Sequence, residues 1–293
     1  MLELHRRCAG PLVLITLLVA ACMSSPAPQS SASSPRPTPP PGVAAERGVE
    51  LDGAAFVHDI VYTSGSQSVV AYLVLPAKQP VTAGVLFFHW LSNSGGNRTE
   101  FKVEAVGLAA HGVASLLMQG DFPWSTQPSG AEQDIKAIET EVAGVEAGAD
   151  LLLKQPGVDV HHLAYVGHDY GAMHGAVLLA RDSRFAGAIL MAPDAHWVNW
   201  FNDYWTFIKT PAQRATYAKA LQPLDPVTTL RSVKSRVLLQ FARSDEYLPL
   251  VRAQAVESAV PARLRETRWY DSDHGFNQAA ESDREAWLLA LLG

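Results

Sequence analysis

A chain of 293 residues with 48% hydrophobic content can bury one large core but not obviously two. Its formal charge of −6 is mildly acidic and no long basic run is present, which argues against nucleic acid as a partner. Both cysteines, Cys8 and Cys22, lie in or at the edge of the leader, so the domain that follows is expected to hold by packing alone, with neither a disulfide nor a thiol nucleophile.

The N-terminus reads as an export signal. His5-Arg6-Arg7 is a short basic region, Leu12 to Ala20 an apolar stretch too short for an ordinary membrane span, and Val19-Ala20-Ala21-Cys22 resembles a bacterial lipoprotein box. The expectation is a signal peptide over 1–21, lipidation at Cys22, and a Ser/Pro-rich tether over 22–48 that cannot bury enough apolar area to offset chain entropy. Such a protein would sit in the bacterial cell envelope, outside the cytoplasm, with the membrane as partner through the lipid on Cys22.

The folded domain is expected over 49–293. Phe56 to Tyr62 and Val69 to Leu75 read as a hairpin joined by Ser64-Gly65-Ser66-Gln67, and Ala83 to His89 is a continuous apolar run of the buried parallel type. A helix from about Thr99 to His111, stopped by Gly112, leads to a strand over Val113 to Met118 with Gly120 to Trp124 as its exit loop. Ala131 to Lys154 reads as a long helix, with Ile135, Ile138, Val142, Val145 and Leu152 as its core-facing stripe.

Leu163 to Val166 is the next strand, and Gly167-His168-Asp169-Tyr170-Gly171 turns it into a helix from Met173. A Cβ at either glycine would crowd neighbouring backbone, so the pattern fits a sharp turn that pushes Asp169 out at the top of a sheet. A strand over Gly187 to Met191 follows. From about 194 to 222 many aromatics, among them Trp197, Trp200, Phe201, Tyr204 and Tyr217, form an insertion. Alternation resumes with a strand over Arg236 to Ala242, a helix over Leu250 to Ala259, a strand over Leu264 to Tyr270 and a helix over Glu281 to Leu292, giving a mainly parallel sheet covered on both faces.

Open α/β sheets bind ligands beyond the carboxyl ends of their strands. Asp169, Asp245 and His274 each follow a strand there, in the chain order nucleophile, acid, His. Asp194 also follows a strand and could replace Asp245 as the acid. His89 reads as a buried structural imidazole. His161-His162 would point in opposite directions in a strand, and His168 with His174 lacks ligand spacing, so no metal and no other cofactor is expected.

On these motifs the chain from about Phe56 onward resembles the α/β-hydrolase superfamily. Leu75-Pro76, Phe87-Phe88-His89, Phe241 to Pro249 and His274-Gly275-Phe276 are most similar to its dienelactone hydrolase and prolyl-oligopeptidase-like branch, whereas the Asp elbow is similar to epoxide hydrolases and haloalkane dehalogenases. The resemblance implies an α/β-hydrolase fold with Asp169 as nucleophile, His274 as base and Asp245 as its orienting partner. It also implies oxyanion donors from the backbone of Tyr170 and of Trp90 or Leu91, and Tyr204 or Tyr217 as cap tyrosines. Tyr170, unlike the Trp usual after a dehalogenase nucleophile, has no indole N–H. A carboxylate is a weak acyl nucleophile, so Asp at the elbow favours a small apolar epoxide or halide; a dienelactone hydrolase-like carboxylesterase and an inactive binding scaffold are the alternatives.

Overall fold

The computed structural model describes residues 39–91, 96–120, 130–204 and 210–293, without the side chains of residues 203 and 204. Cys22, nearly all of the leader and tether region, residues 92–95 and Asp121 to Trp124 of the exit loop lie outside the described residues. Among those described, no helix is long and apolar enough to cross a membrane.

Strands β1 (Ala45–Asp52), β2 (Ala55–Ser64) and β3 (Gln67–Pro76) form an antiparallel entry meander. The Ser64↔Gln67 pair closes the expected hairpin around Gly65, whose φ of 58° suits a left-handed turn position. β1 straddles the expected start of the domain at residue 49. β3 pairs antiparallel with β5 (Val113–Met118); from there β4 (Ala83–Phe88), β6 (Leu163–His168), β7 (Phe185–Met191), β8 (Arg236–Ala242) and β9 (Arg265–Tyr270) continue in parallel. The sheet order is β1-β2-β3-β5-β4-β6-β7-β8-β9. The chain goes from β4 outward to β5 and then returns past β4 to β6, which creates a switch point between β4 and β6.

The continuous apolar runs are explained by two cores. In β4, Leu86 and Phe88 enter one apolar cluster while Val85 and Phe87 enter the other. Helices α2 (Ala131–Leu153) and α3 (Tyr170–Arg181) cover the first face; α1 (Lys102–Ala109) and α8 (Gln278–Leu292) cover the second. Ile138, Val142, Val145 and Leu152 of the predicted α2 stripe are fully buried, and Ile135 packs at the edge. A buried ion pair, Arg284 Nη2 to Glu104 Oε2 at 3.0 Å, ties α8 to α1, and Arg284 also reaches Gln240 of β8.

Several boundaries differ from expectation, three of them for reasons the hydrogen bonds give. α1 is shorter because residues 98–101 form turns, with Glu100 N–H donating to Asn97 O and Lys102 N–H to Thr99 O. β6 runs on through His168, since Gly167 and His168 pair with Leu190 and Met191 of β7. α8 starts earlier, at Gln278, because the Asn277 side chain accepts the Ala280 N–H and caps it. The aromatic insertion forms helices α4 (Trp197–Tyr204), α5 (Pro211–Leu221) and the short α6 (Pro226–Thr229), ahead of α7 (Leu250–Ala259) on β8.

Candidate active site

The turn after β6 is a strained elbow. Asp169 has φ 47° and ψ −105°, a region an L-residue occupies only when its surroundings impose it. Its N–H donates to Met191 O and its carbonyl accepts from Met173 N, so strand and helix pull the turn from both sides. The glycines make the close approach possible: a Cβ on Gly171 would stand 2.0 Å from the Phe88 carbonyl oxygen, and one on Gly167 2.6 Å from the Gly171 backbone.

Around this turn the structure brings together all three predicted residues of the triad. His274 Nδ1 lies 2.9 Å from Asp245 Oδ2 and 3.1 Å from Oδ1, and a carboxylate only accepts, so the ring proton sits on Nδ1 and points at Asp245. Asp245 is itself held by the backbone N–H groups of Tyr247 and Leu248, each at 2.9 Å. Burial raises the Asp245 carboxyl, but the His274 hydrogen bond and charge outweigh it and leave the carboxyl below its ordinary value. Burial likewise lowers His274, yet Asp245, Asp169 and Glu246 leave it above its ordinary value. The pair therefore favours its charged form from both ends.

Asp169 is buried, and its two oxygens are treated differently. Oδ1 accepts the Trp200 indole N–H at 2.8 Å. Oδ2 is buried without a hydrogen-bond partner, as is His274 Nε2. Burial pushes the Asp169 carboxyl above its ordinary range, against the opposing pull of His274, His168, Trp200 and the Tyr170 backbone N–H. A narrow pocket above it, open to solvent, is lined among the described residues by Asp169, Ala192, Asp194, Trp200, Tyr247, Leu248 and His274.

Several expectations are resolved by side-chain geometry. Asp194 lines the pocket but pairs with Arg252 Nη1 at 2.9 Å, and the acid on His274 is Asp245. The Tyr170 backbone N–H reaches the Asp169 carboxylate, while its ring packs in the core between Phe88 and Trp200. Trp90 departs from its expected part as oxyanion donor: its N–H donates to Glu100 Oε2 at 2.8 Å, because Glu100, just before α1, turns its carboxylate back toward the end of β4. The Trp90 ring stacks on His168. Leu91 packs at the edge of the larger apolar cluster.

Tyr217 also departs from expectation. Its O–H donates to Asp134 Oδ2 at 2.6 Å, which fastens α5 to α2 and takes the hydroxyl away as a cap acid. The Tyr204 side chain lies outside the described residues. His89 is buried and structural, with Nδ1–H donating to Trp90 O at 2.6 Å and Nε2 accepting the Gly120 N–H at 3.0 Å. His174 is enclosed by Phe88, Tyr170 and Trp197, and burial pushes it down to about 4. Among the described residues no group of three His, Cys, Asp or Glu is arranged to hold a metal ion.

The residue that sequence reasoning missed is Trp200. The indole absent from the position after Asp169 in the chain reaches its carboxylate from the insertion instead, and the only sequence signal was a cluster of aromatics between β7 and β8.

The model of the prolyl oligopeptidase family matches residues 136–286. Among solved structures, the chain is similar to an acetyl xylan esterase from Paenibacillus sp. R4, at 17% identity over 83% of this chain and 87% of that one with a TM-score of 0.66. It is also similar to a cold-adapted esterase from an Arctic intertidal metagenomic library, at 14% identity over 85% and 100% with a TM-score of 0.64. A glucuronoyl esterase from Solibacter usitatus matches at 13% identity over 88% of each chain with a TM-score of 0.61. At these identities the likeness is one of fold, and the fold is the expected α/β-hydrolase fold. No curated protein sequence matches the chain.

Proposed function

The chain belongs to the prolyl oligopeptidase family and is an α/β-fold hydrolase, and from that premise we propose that Asp245 and His274 activate water while Asp169 carries the substrate as a covalent alkyl ester. The observation that carries this reading is the unequal partnering of the Asp169 oxygens. Oδ1 is held by Trp200, whereas Oδ2 keeps its lone pairs bare, as His274 Nε2 does. Attack by Oδ2 on a saturated carbon forms the ester and breaks the bond to halide, which leaves as the anion, or to an epoxide oxygen, which stays on the substrate as an alkoxide and takes a proton from water. His274 Nε2 then takes a proton from water, and the hydroxide adds to the Asp169 carbonyl carbon. Negative charge grows on the carbonyl oxygen, where the Trp200 and Tyr170 N–H groups stand ready to receive it. Collapse expels the product alkoxide, which takes its proton from His274, and the Asp169 carboxyl so formed gives up its own proton to solvent and returns to the carboxylate.

The esterase likeness of the fold favours a second reading, hydrolysis of a small carboxylic ester on the same scaffold. There His274-activated water attacks the substrate carbonyl directly, and Asp169 stands in the elbow as a polar group or base in place of the usual hydroxyl. One experiment separates the two. Purified protein is offered an aryl ester, an epoxide and a haloalkane, and whichever is turned over is run for a single turnover in heavy-oxygen water. Heavy oxygen in the elbow peptide at Asp169 is the expected result. Turnover of the aryl ester with no label, and with activity kept in Asp169→Asn, would replace the first reading by the second.

A further inference from the structure

Asp169 has a second carboxylate–imidazole pair beside it. His168 Nδ1 lies 2.6 Å from Glu100 Oε1, while Glu100 Oε2 accepts the Trp90 N–H. Because the carboxylate only accepts, Nδ1 of His168 carries a proton and donates it to Glu100. The His168 side chain is 2% exposed, and Nε2 is buried with no hydrogen-bond partner. A buried polar atom left in this state points to a role other than packing.

The packing indicates which role. The His168 ring lies 4.8 Å from that of His274 at an interplanar angle of 32°, with Trp90 stacked on it at 5.8 Å and Phe276 edge-on at 5.4 Å. Trp90 also touches His274, at 5.5 Å. His168 is not among the residues lining the pocket, so it acts through His274 and not on substrate.

We propose that Glu100 and His168 are positioning residues for His274: Glu100 fixes the His168 ring through Nδ1, and that ring is the surface against which the His274 ring rests. This rests on His274 as the base in the proposed function. A base that must meet one water molecule works only while its ring is held in place, and His168 supports the face of His274 that Asp245 does not reach. The charged and titratable groups facing His168 are Glu100, His89, Asp169 and His274; those facing His274 are Asp245, Glu246, Tyr247, Asp169 and His168.

The test follows the His274 ring signals by NMR at fixed pH in the full chain, in wild type, His168→Gln and Glu100→Gln. Both variants should broaden the His274 ring signals, because the ring loses the surface that holds it, while the circular dichroism of the fold stays unchanged. In Glu100→Gln, which keeps every ring, the broadening reads the hold of Glu100 on His168 directly. His274 signals equally sharp in all three proteins overturn the proposal. If His168→Gln does not fold, sharp His274 signals in Glu100→Gln overturn it alone. No turnover is needed, so this outcome is independent of whether Asp169 takes up heavy oxygen.

Discussion

At the elbow, position is dictated by backbone: Gly167 and Gly171 bring β6 and α3 so close that a methyl group on Gly171 would overlap the Phe88 carbonyl. In α4, position is dictated by rings. Trp200 lies 5.3 Å from Tyr170, 6.2 Å from Trp197 and 5.4 Å from Phe201, so that packed rings aim its indole. Both regions end on the same carboxylate, one supplying it and the other holding Oδ1. The difference implies that the elbow should tolerate no substitution at its glycines, whereas α4 should tolerate any change that keeps ring volume and should lose only the hydrogen bond.

The sharpest break of that comparison is Gly171→Ala. The obstructing atoms are backbone, the Phe88 oxygen at 2.0 Å and its carbon at 2.6 Å, so no side-chain rotation can relieve the clash. Overpacking against atoms that cannot yield should cost about 3 kcal/mol or more of stability. Urea unfolding with an unchanged m-value and a midpoint lowered by that amount is the expected result; an unaltered midpoint would mean that the approach of α3 to β4 is looser than the geometry gives.

Trp200→Phe should act on catalysis and spare the fold. The ring cluster keeps its contacts, but Oδ1 of a buried carboxylate loses its indole donor, and hydrogen bonds to charged groups are worth about 2 kcal/mol, or roughly 30-fold in rate. The expected outcome is a kcat lowered by about that factor, with KM changed by less than about threefold. An unchanged kcat would show that the Trp200 N–H merely caps the resting carboxylate.

These two regions also differ in how far they can be read from residues alone. The elbow is legible because its signal is local: an apolar strand, two glycines at fixed spacing and a helix, with Asp245 and His274 arriving later at strand ends. Trp200 meets Asp169 across 31 positions, Glu100 meets His168 across 68 and Tyr217 meets Asp134 across 83. Such contacts depend on rotamers and helix placement, which periodicity does not encode. The choice of Asp245 over Asp194, both of which follow strands, rests on the resemblance of the Phe241 to Pro249 segment, and the structure pairs Asp245 with His274 and Asp194 with Arg252. The Trp90 N–H contact is illegible for a related reason, since Glu100 is its acceptor and nothing in its sequence neighbourhood marks it as one.

The smallest effect sharpens the comparison at Asp169 itself. Burial raises its carboxyl above the ordinary value of 3.8, so the folded state holds its proton more firmly than the unfolded state does. A carboxyl of this kind lowers stability as pH rises, because unfolding releases the acid to ionise freely. Asp169→Asn removes the ionisation while keeping an oxygen for the Trp200 N–H. The variant should therefore be inactive on the substrate that wild type turns over, yet more stable near neutral pH by about 1 kcal/mol. Below about 3.8 both states carry the neutral acid and the gain should vanish. Thermal melting of both proteins at pH 8 and in mild acid reads this directly. A variant less stable than wild type at pH 8 would mean that His274, His168 and Trp200 together more than offset the burial of the charge, so that the carboxylate is a stabilising part of the fold as well as the group proposed to react.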